Sequence, residues 1–219
     1  MREEQLGPFL LRQPPGVFPL GEDALHLADF ATVRRGWRVC DLGTGSGCLL
    51  LLLSGRVPRL ELYGVELDPV AAQAARDNLP ENDLAGTVWT GDWSALPSRT
   101  GPFDLVISNP PYFAQGSGAS GGPARMEGRD GLEHLCRAAA RLTQNGGRFA
   151  LCHRPERLTD LLCALRACGL EPKRLQLAAH APGRPASLVL VEAVRQGRPG
   201  LEILPSLYRA GPEGGGRGA

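Results

Sequence analysis

Lysine is nearly absent from this 219-residue chain: Lys173 is the only one, and every other strongly basic side chain is arginine. A GC-rich genome accounts for that bias, so it excludes nothing about function. Long apolar runs are absent too. The longest, Cys48 to Leu53, falls far short of the roughly 20 residues that span a bilayer as a helix. No membrane segment is expected. Met1 to Gln5 carry mixed charge and no apolar h-region, which points away from a secretory signal. The six cysteines, Cys40, Cys48, Cys136, Cys152, Cys163 and Cys168, contain no C-x-x-C pair, and most sit in apolar segments. They read as reduced core thiols of a cytoplasmic protein rather than as disulfides or zinc ligands. No His/Cys/Asp spacing suggests a metal site, and no serine elbow or Cys-His pair suggests covalent catalysis. His153 and His180 fall at strand ends, where structural histidines are commoner than substrate contacts. No internal repeat is present.

What is there is an alternation of strands and helices. Residues 1–20 are proline-rich and read as irregular. Gly21 to Arg35 forms an amphipathic helix with Ala24, Leu27, Ala28 and Ala31 on one face. Strands are expected over Arg38 to Leu42, Leu60 to Leu67, Thr87 to Thr90, Phe103 to Ser108 and Arg148 to His153. Helices are expected over Cys48 to Ser54, Ala71 to Asn78, Asp130 to Leu142 and Glu156 to Cys168. Residues 114–123 are almost all Gly, Ser, Ala and Pro and read as a flexible loop. Two last strands, Leu175 to Ala179 and Ser187 to Val194, have too short a link for a crossover helix and must form an antiparallel hairpin. The expected fold is α/β: a doubly wound, mostly parallel, seven-stranded sheet ending in that hairpin, over residues 21–210. Residues 211–219 read as a disordered tail.

Three acids fall at three successive strand ends. Asp41-Leu42-Gly43-Thr44-Gly45-Ser46-Gly47 joins a strand to a helix, and its glycines let the backbone pass close to a ligand. A dinucleotide site would ask for a further glycine at the helix start, and a carboxylate at Asp41 repels phosphate. It suits a cation instead, and S-adenosylmethionine carries a sulfonium and an ammonium. Glu66 can accept bonds from two ribose hydroxyls, and Asp92 one from the adenine amino group, with Trp93 alongside the ring. The alternatives are a tightly packed glycine turn and ordinary strand-end acids. A dehydrogenase is disfavoured by Asp41.

Asn109-Pro110-Pro111-Tyr112 follows the fourth strand of that sheet, on the same edge. An amino group attached to a π-system is a poor nucleophile, because its lone pair is delocalised. The Asn109 side-chain oxygen and the Pro110 carbonyl can accept its hydrogen bonds, favour the pyramidal nitrogen and hold it in line with a methyl donor. Tyr112 can stack on a planar substrate. A plain Pro-Pro turn is the competing reading.

The chain resembles the class I methyltransferases, and its Asn-Pro-Pro-Tyr signature is similar to that of their amino-methylating branch. Phe18 to Phe30, Ala124 to Glu127, Leu188 to Glu192, Gly200-Leu201 and Leu204-Pro205 are similar to motifs of the family that methylates adenine N6 beside the anticodon of a valine tRNA. The resemblance covers residues 18–209. It implies a methyltransferase domain with S-adenosylmethionine as cofactor. Asp41, Gly43, Gly45, Glu66, Asp92, Trp93 and Asn109 would line the cofactor site, and Asn109, Pro110 and Tyr112 would hold the target amine. It implies tRNA as the partner and specifies no oligomeric state. Protein-glutamine N5 and rRNA guanine N2 methyltransferases share the signature, the former usually with a helical N-terminal domain. An inactive RNA-binding module on the same fold is the non-enzymatic alternative. Charge agrees with a polyanionic partner: residues 1–119 carry a net −5 and residues 120–219 a net +6. Arg125 and Arg129 are the expected phosphate contacts.

Overall fold

The computed structural model describes residues 1–96, 100–110 and 129–208. Its first elements are β1 (Arg2–Leu6) and β2 (Phe9–Gln13), an antiparallel hairpin in the segment expected to be irregular. Gly7 takes φ +59° at the first position of the two-residue turn, and Pro8 follows. The hairpin is held from far along the chain. The carboxamides of Asn78, on α3 (Pro69–Glu81), and of Asn82, the C-cap one helical turn on, stand where a neighbouring strand would. Asn82 accepts from Leu10 N–H at 2.7 Å and donates to its carbonyl at 2.9 Å; Asn78 does the same for Arg12 at 3.0 and 2.9 Å. Leu6 and Leu11 are buried against Leu50, Leu51, Ala75 and Leu79. Local charge in Arg2 to Gln5 hides this strand from sequence reading; tertiary contacts impose it.

The central strands are short apolar runs, as burial on both faces requires. β3 (Arg38–Leu42), β4 (Glu61–Glu66), β5 (Gly86–Thr90), β6 (Phe103–Ser108) and β7 (Thr143–His153) pair in parallel, in the order β5-β4-β3-β6-β7. β8 (Leu170–Ala179) and β9 (Ala186–Arg195) form the expected antiparallel hairpin, with β9 inserted between β7 and β8. To the seven expected strands the structure adds two of two residues each, β10 (Glu202–Ile203) and β11 (Leu207–Tyr208), both parallel to β8.

Helices cover both faces. α1 (Glu22–Phe30) and α2 (Cys48–Arg56) pack Leu27, Ala28, Leu49 and Leu53 onto Val39, Leu105 and Ile107. α4 (Arg129–Leu142) and α5 (Leu158–Ala167) pack Leu135, Cys136, Leu161 and Leu165 onto Val106, Phe149 and Val191. Along β6, Leu105 and Ile107 thus face one layer and Val106 the other, the period of two that a strand imposes. Fully buried Glu192 joins α1 to the sheet: it accepts from the Thr32 backbone N–H at 2.7 Å and pairs with Arg148 at 2.6 Å.

All six cysteines are free, but not all are core. Cys163 is exposed, because α5 buries Leu161, Ala164 and Leu165 and turns position 163 outward. No helix among the described residues is long and apolar enough to cross a membrane. The expected flexible loop over 114–123, the tail over 211–219, Pro111, Tyr112, Ala124 to Glu127 and the side chain of Arg129 lie outside the described residues.

Candidate functional site

The strand order reverses between β3 and β6. Chains leaving their carboxyl ends diverge there and open a crevice. The glycine turn forms one wall. Gly43, Gly45 and Gly47 have φ of +80°, +55° and +85°, which a side chain would resist. Gly43 and Thr44 N–H both donate to the Val65 carbonyl, at 2.8 and 3.0 Å. The Ser108 hydroxyl, fully buried, donates to the Leu42 carbonyl at 2.7 Å and ties the end of β6 to the start of the turn.

Asp41 ends up 1% exposed, and neither carboxylate oxygen has a hydrogen-bond partner. Burial pushes its carboxyl up to about 7, and the negative charge of Glu66 adds to the shift. The neighbouring Thr44 hydroxyl opposes it, although the geometry closes no bond between them. Thr44 Oγ1 and the Trp93 indole N–H are also buried without partners. Buried polar groups are nearly always satisfied, so three such groups around one glycine turn call for a polar ligand. A buried carboxylate among them calls for a cationic one.

Glu66 is engaged differently from the expectation of a site for ribose alone. One oxygen accepts from Gly45 N–H at 2.8 Å and the other from Asp68 N–H at 2.9 Å, so the side chain also shapes the turn. Asp92 is exposed and caps a 3-10 turn over Trp93–Ala95, accepting from Ser94 N–H at 2.7 Å. Partial burial works against its charge, but the Ser94 bonds outweigh that and hold the carboxyl below its usual range. A Cβ on Gly43 would lie 3.7 Å from the Trp93 ring, so Trp93 stands against the glycine turn. Arg141 on α4 anchors it, donating to the Trp93 and Leu96 carbonyls at 2.8 and 3.0 Å.

Across the crevice, Asn109 and Pro110 leave β6 half-buried. Asn109 Oδ1 accepts a hydrogen bond from the Cys152 thiol at 3.1 Å. His153, the next residue, is buried; its Nδ1 accepts from Arg154 N–H at 2.8 Å, and burial lowers its imidazole pKa. His180 is exposed. Among the described residues, no group of three His, Cys, Asp or Glu could hold a metal. The structure thus brings Asp41, Gly43, Gly45, Glu66, Trp93, Asn109 and Pro110 to one sheet edge, with Asp92 at its rim. Sequence reading missed Ser108, Thr44 and Cys152, and also Leu67 and Val70, apolar side chains left 40% and 54% exposed beside Glu66. An apolar residue next to a strand-end acid was the available signal for Leu67; Cys152 needed the β6–β7 register.

Residues 12–158 match the model of the methyltransferase small domain family. The chain belongs to that family. A tRNA1(Val) (adenine(37)-N6)-methyltransferase of Porphyromonas gingivalis is 34% identical over 161 residues, 69% of this chain and 63% of that relative. The chain therefore spans less than two thirds of the relative's length. Among solved structures, a predicted O-methyltransferase of Agrobacterium tumefaciens superimposes with a TM-score of 0.68 at 26% identity, over 85% of this chain and 86% of the other. A T. thermophilus 16S rRNA N2 methyltransferase, solved with AdoMet and guanosine, gives 0.64 at 22% identity over 89% of this chain and 50% of that one, a likeness of fold. In this methyltransferase small domain, the glycine turn and Asn109 both fall inside the matched residues.

Proposed function

We propose that the protein is an S-adenosylmethionine-dependent N-methyltransferase acting on an exocyclic amine, adenine N6 of a tRNA. The observation that carries this reading is Asn109 standing across the β3–β6 switch point from the partnerless carboxylate of Asp41. One side offers a counter-charge for a cation, the other an acceptor for an amine. The curated relatives' names support the choice of tRNA and of N6. The proposed catalytic unit is residues 21–210, with the tail from Gly211 dispensable for activity. Acting on tRNA places it in the cytoplasm.

The residues present fit the cofactor. Asp41 would face its positive charge. Glu66 has committed two acceptor positions to Gly45 and Asp68, and a carboxylate has about four, leaving capacity for ribose hydroxyls. Trp93 and the exposed side chain of Leu67 offer apolar surface for adenine, with Asp92 Oδ2 for its amino group. Bound there, the cofactor would supply an electrophilic methyl group on a sulfonium. Asn109 Oδ1 and the Pro110 carbonyl would accept from the substrate amine, turn its lone pair toward that methyl and exclude water. No side chain need act as a strong base, since the nitrogen becomes acidic once alkylated and then releases its proton. Exposed Arg154 and Arg184 lie on the same edge beyond β7, where an RNA strand entering toward Asn109 would pass.

The test is mass spectrometry of the digested acceptors after incubating the protein with methyl-labelled cofactor and, in separate reactions, tRNA, rRNA and protein. Label in N6-methyladenosine is expected. Label in N2-methylguanosine of rRNA or in protein glutamine would overturn the substrate, and no label in any acceptor would leave a binding module.

A further inference from the structure

A carboxamide is a poor catalytic group unless something fixes its rotation. The terminal torsion of Asn is broad and roughly two-fold, so oxygen and NH₂ exchange places at little cost. Two elements meet at Asn109 to settle this. The parallel register sets Ser108 opposite Leu151, which brings Asn109 level with Cys152 at the end of β7. Cys152 is fully buried in the apolar layer with Leu105, Ile107 and Leu190, so its thiol has little freedom to move. Its Sγ–H donates to Asn109 Oδ1 at 3.1 Å. A thiol is a weak donor and a weak acceptor, and here the bond runs from its S–H to the amide oxygen, so the thiol sits on the oxygen side of the carboxamide. An amide oxygen can serve two donors at once.

We propose that Cys152 is a positioning residue for methyl transfer: its hydrogen bond holds Asn109 Oδ1 in the orientation that accepts the substrate amine. The proposal rests on the amine-methylating reading above. The thiol is fully buried and exercises this role through Asn109.

The experiment compares single-turnover methyl transfer to tRNA, at saturating cofactor, in wild type, C152A, C152S, N109A and the C152A/N109A pair. C152A should lower the rate about 2- to 5-fold, the value of one weak S–H···O hydrogen bond expressed as a rate. It should leave the affinity for S-adenosylhomocysteine unchanged. C152S keeps a donor and should recover the rate, and the double variant should be no slower than N109A. A wild-type rate in C152A, a C152S as slow as C152A, or additive losses in the double variant would overturn the proposal. N109A at the wild-type rate would instead overturn the amine-methylating reading itself. Infrared spectroscopy of the S–H stretch gives a second readout that does not need C152A to fold. A thiol band should move to higher frequency in N109A, where the acceptor is gone; identical wild-type and N109A bands would also overturn the proposal.

Discussion

At Asp41, burial holds a carboxyl at about 7 in the folded protein against an ordinary 3.8. Between those values the folded state binds a proton that the unfolded state has lost. Stability without ligand therefore falls as pH rises through that window, and is lowest above it. A cation beside the carboxylate reverses the balance, so cofactor binding should be accompanied by loss of the proton. Affinity for S-adenosylhomocysteine, which keeps the ammonium, should fall about tenfold between pH 8 and pH 6 in calorimetry, the fraction of Asp41 ionised at each pH setting the ratio. Asp41→Asn should remove this pH dependence, raise the Tm of the ligand-free protein at pH 8 and shrink the further rise that S-adenosylhomocysteine produces. A variant stabilised by ligand as much as wild type would show that the orphaned carboxylate does not meet the cofactor.

Among the elements, the amino-terminal hairpin is held to α3 by the carboxamides of Asn78 and Asn82, by the Arg12–Glu81 ion pair and by the packing of Leu6 and Leu11, and the carboxamides make its docking testable. Asn82→Ala removes both bonds to the Leu10 backbone and should cost about 1–3 kcal/mol, the range for leaving partly buried polar groups without partners. Hydrogen exchange should show faster opening of residues 2–13 and unchanged protection of β3 and β6. Equal protection of the hairpin in the variant would place its stability in Asn78, the Arg12–Glu81 ion pair and the packing of Leu6 and Leu11. The same hairpin marks where sequence reading stops. β3 and β6 are legible to the residue, because each is a short apolar run closed by a polar signal, Asp41 with glycine or Asn109 with proline. The hairpin is not, since its pairing depends on side chains more than 60 positions away. β8 begins at Leu170 rather than Leu175 because Pro172, Lys173 and Arg174 interrupt the apolar pattern without ending the strand. β7 begins at Thr143, not Arg148, because Asn145-Gly146-Gly147 has the composition of a turn yet lies in the strand. At the site, Asp41, Glu66 and Asn109 are legible as residue types at strand ends. The thiol of Cys152 and the hydroxyl of Ser108 take their meaning from which strand lies beside which, and composition does not carry that.

At the scale of the whole molecule, the sheet separates two tasks along one edge. The ends of β3, β4 and β5 carry Asp41, Glu66 and the Asp92-Trp93 turn, and the end of β6 carries Asn109. Beyond it, β7 and the β8–β9 hairpin present arginine. The antiparallel β9 keeps this second half in the same sheet, and buried Glu192 accepts hydrogen bonds from the backbone and hydroxyl of Thr32, just past α1, so pulling α1 away would leave a buried carboxylate short of partners. A rigid crevice of this kind contributes to catalysis by orientation and by charge placed in advance, which act in the transition state more than in binding. The measurement that bears most directly on this account is single-turnover transfer of labelled methyl to tRNA by wild type and Asn109→Ala at saturating cofactor. The account predicts a rate lower by roughly 10²–10³, the scale for losing one stabilising group of this kind, with S-adenosylhomocysteine affinity unchanged. Transfer at the wild-type rate by the alanine variant would contradict it.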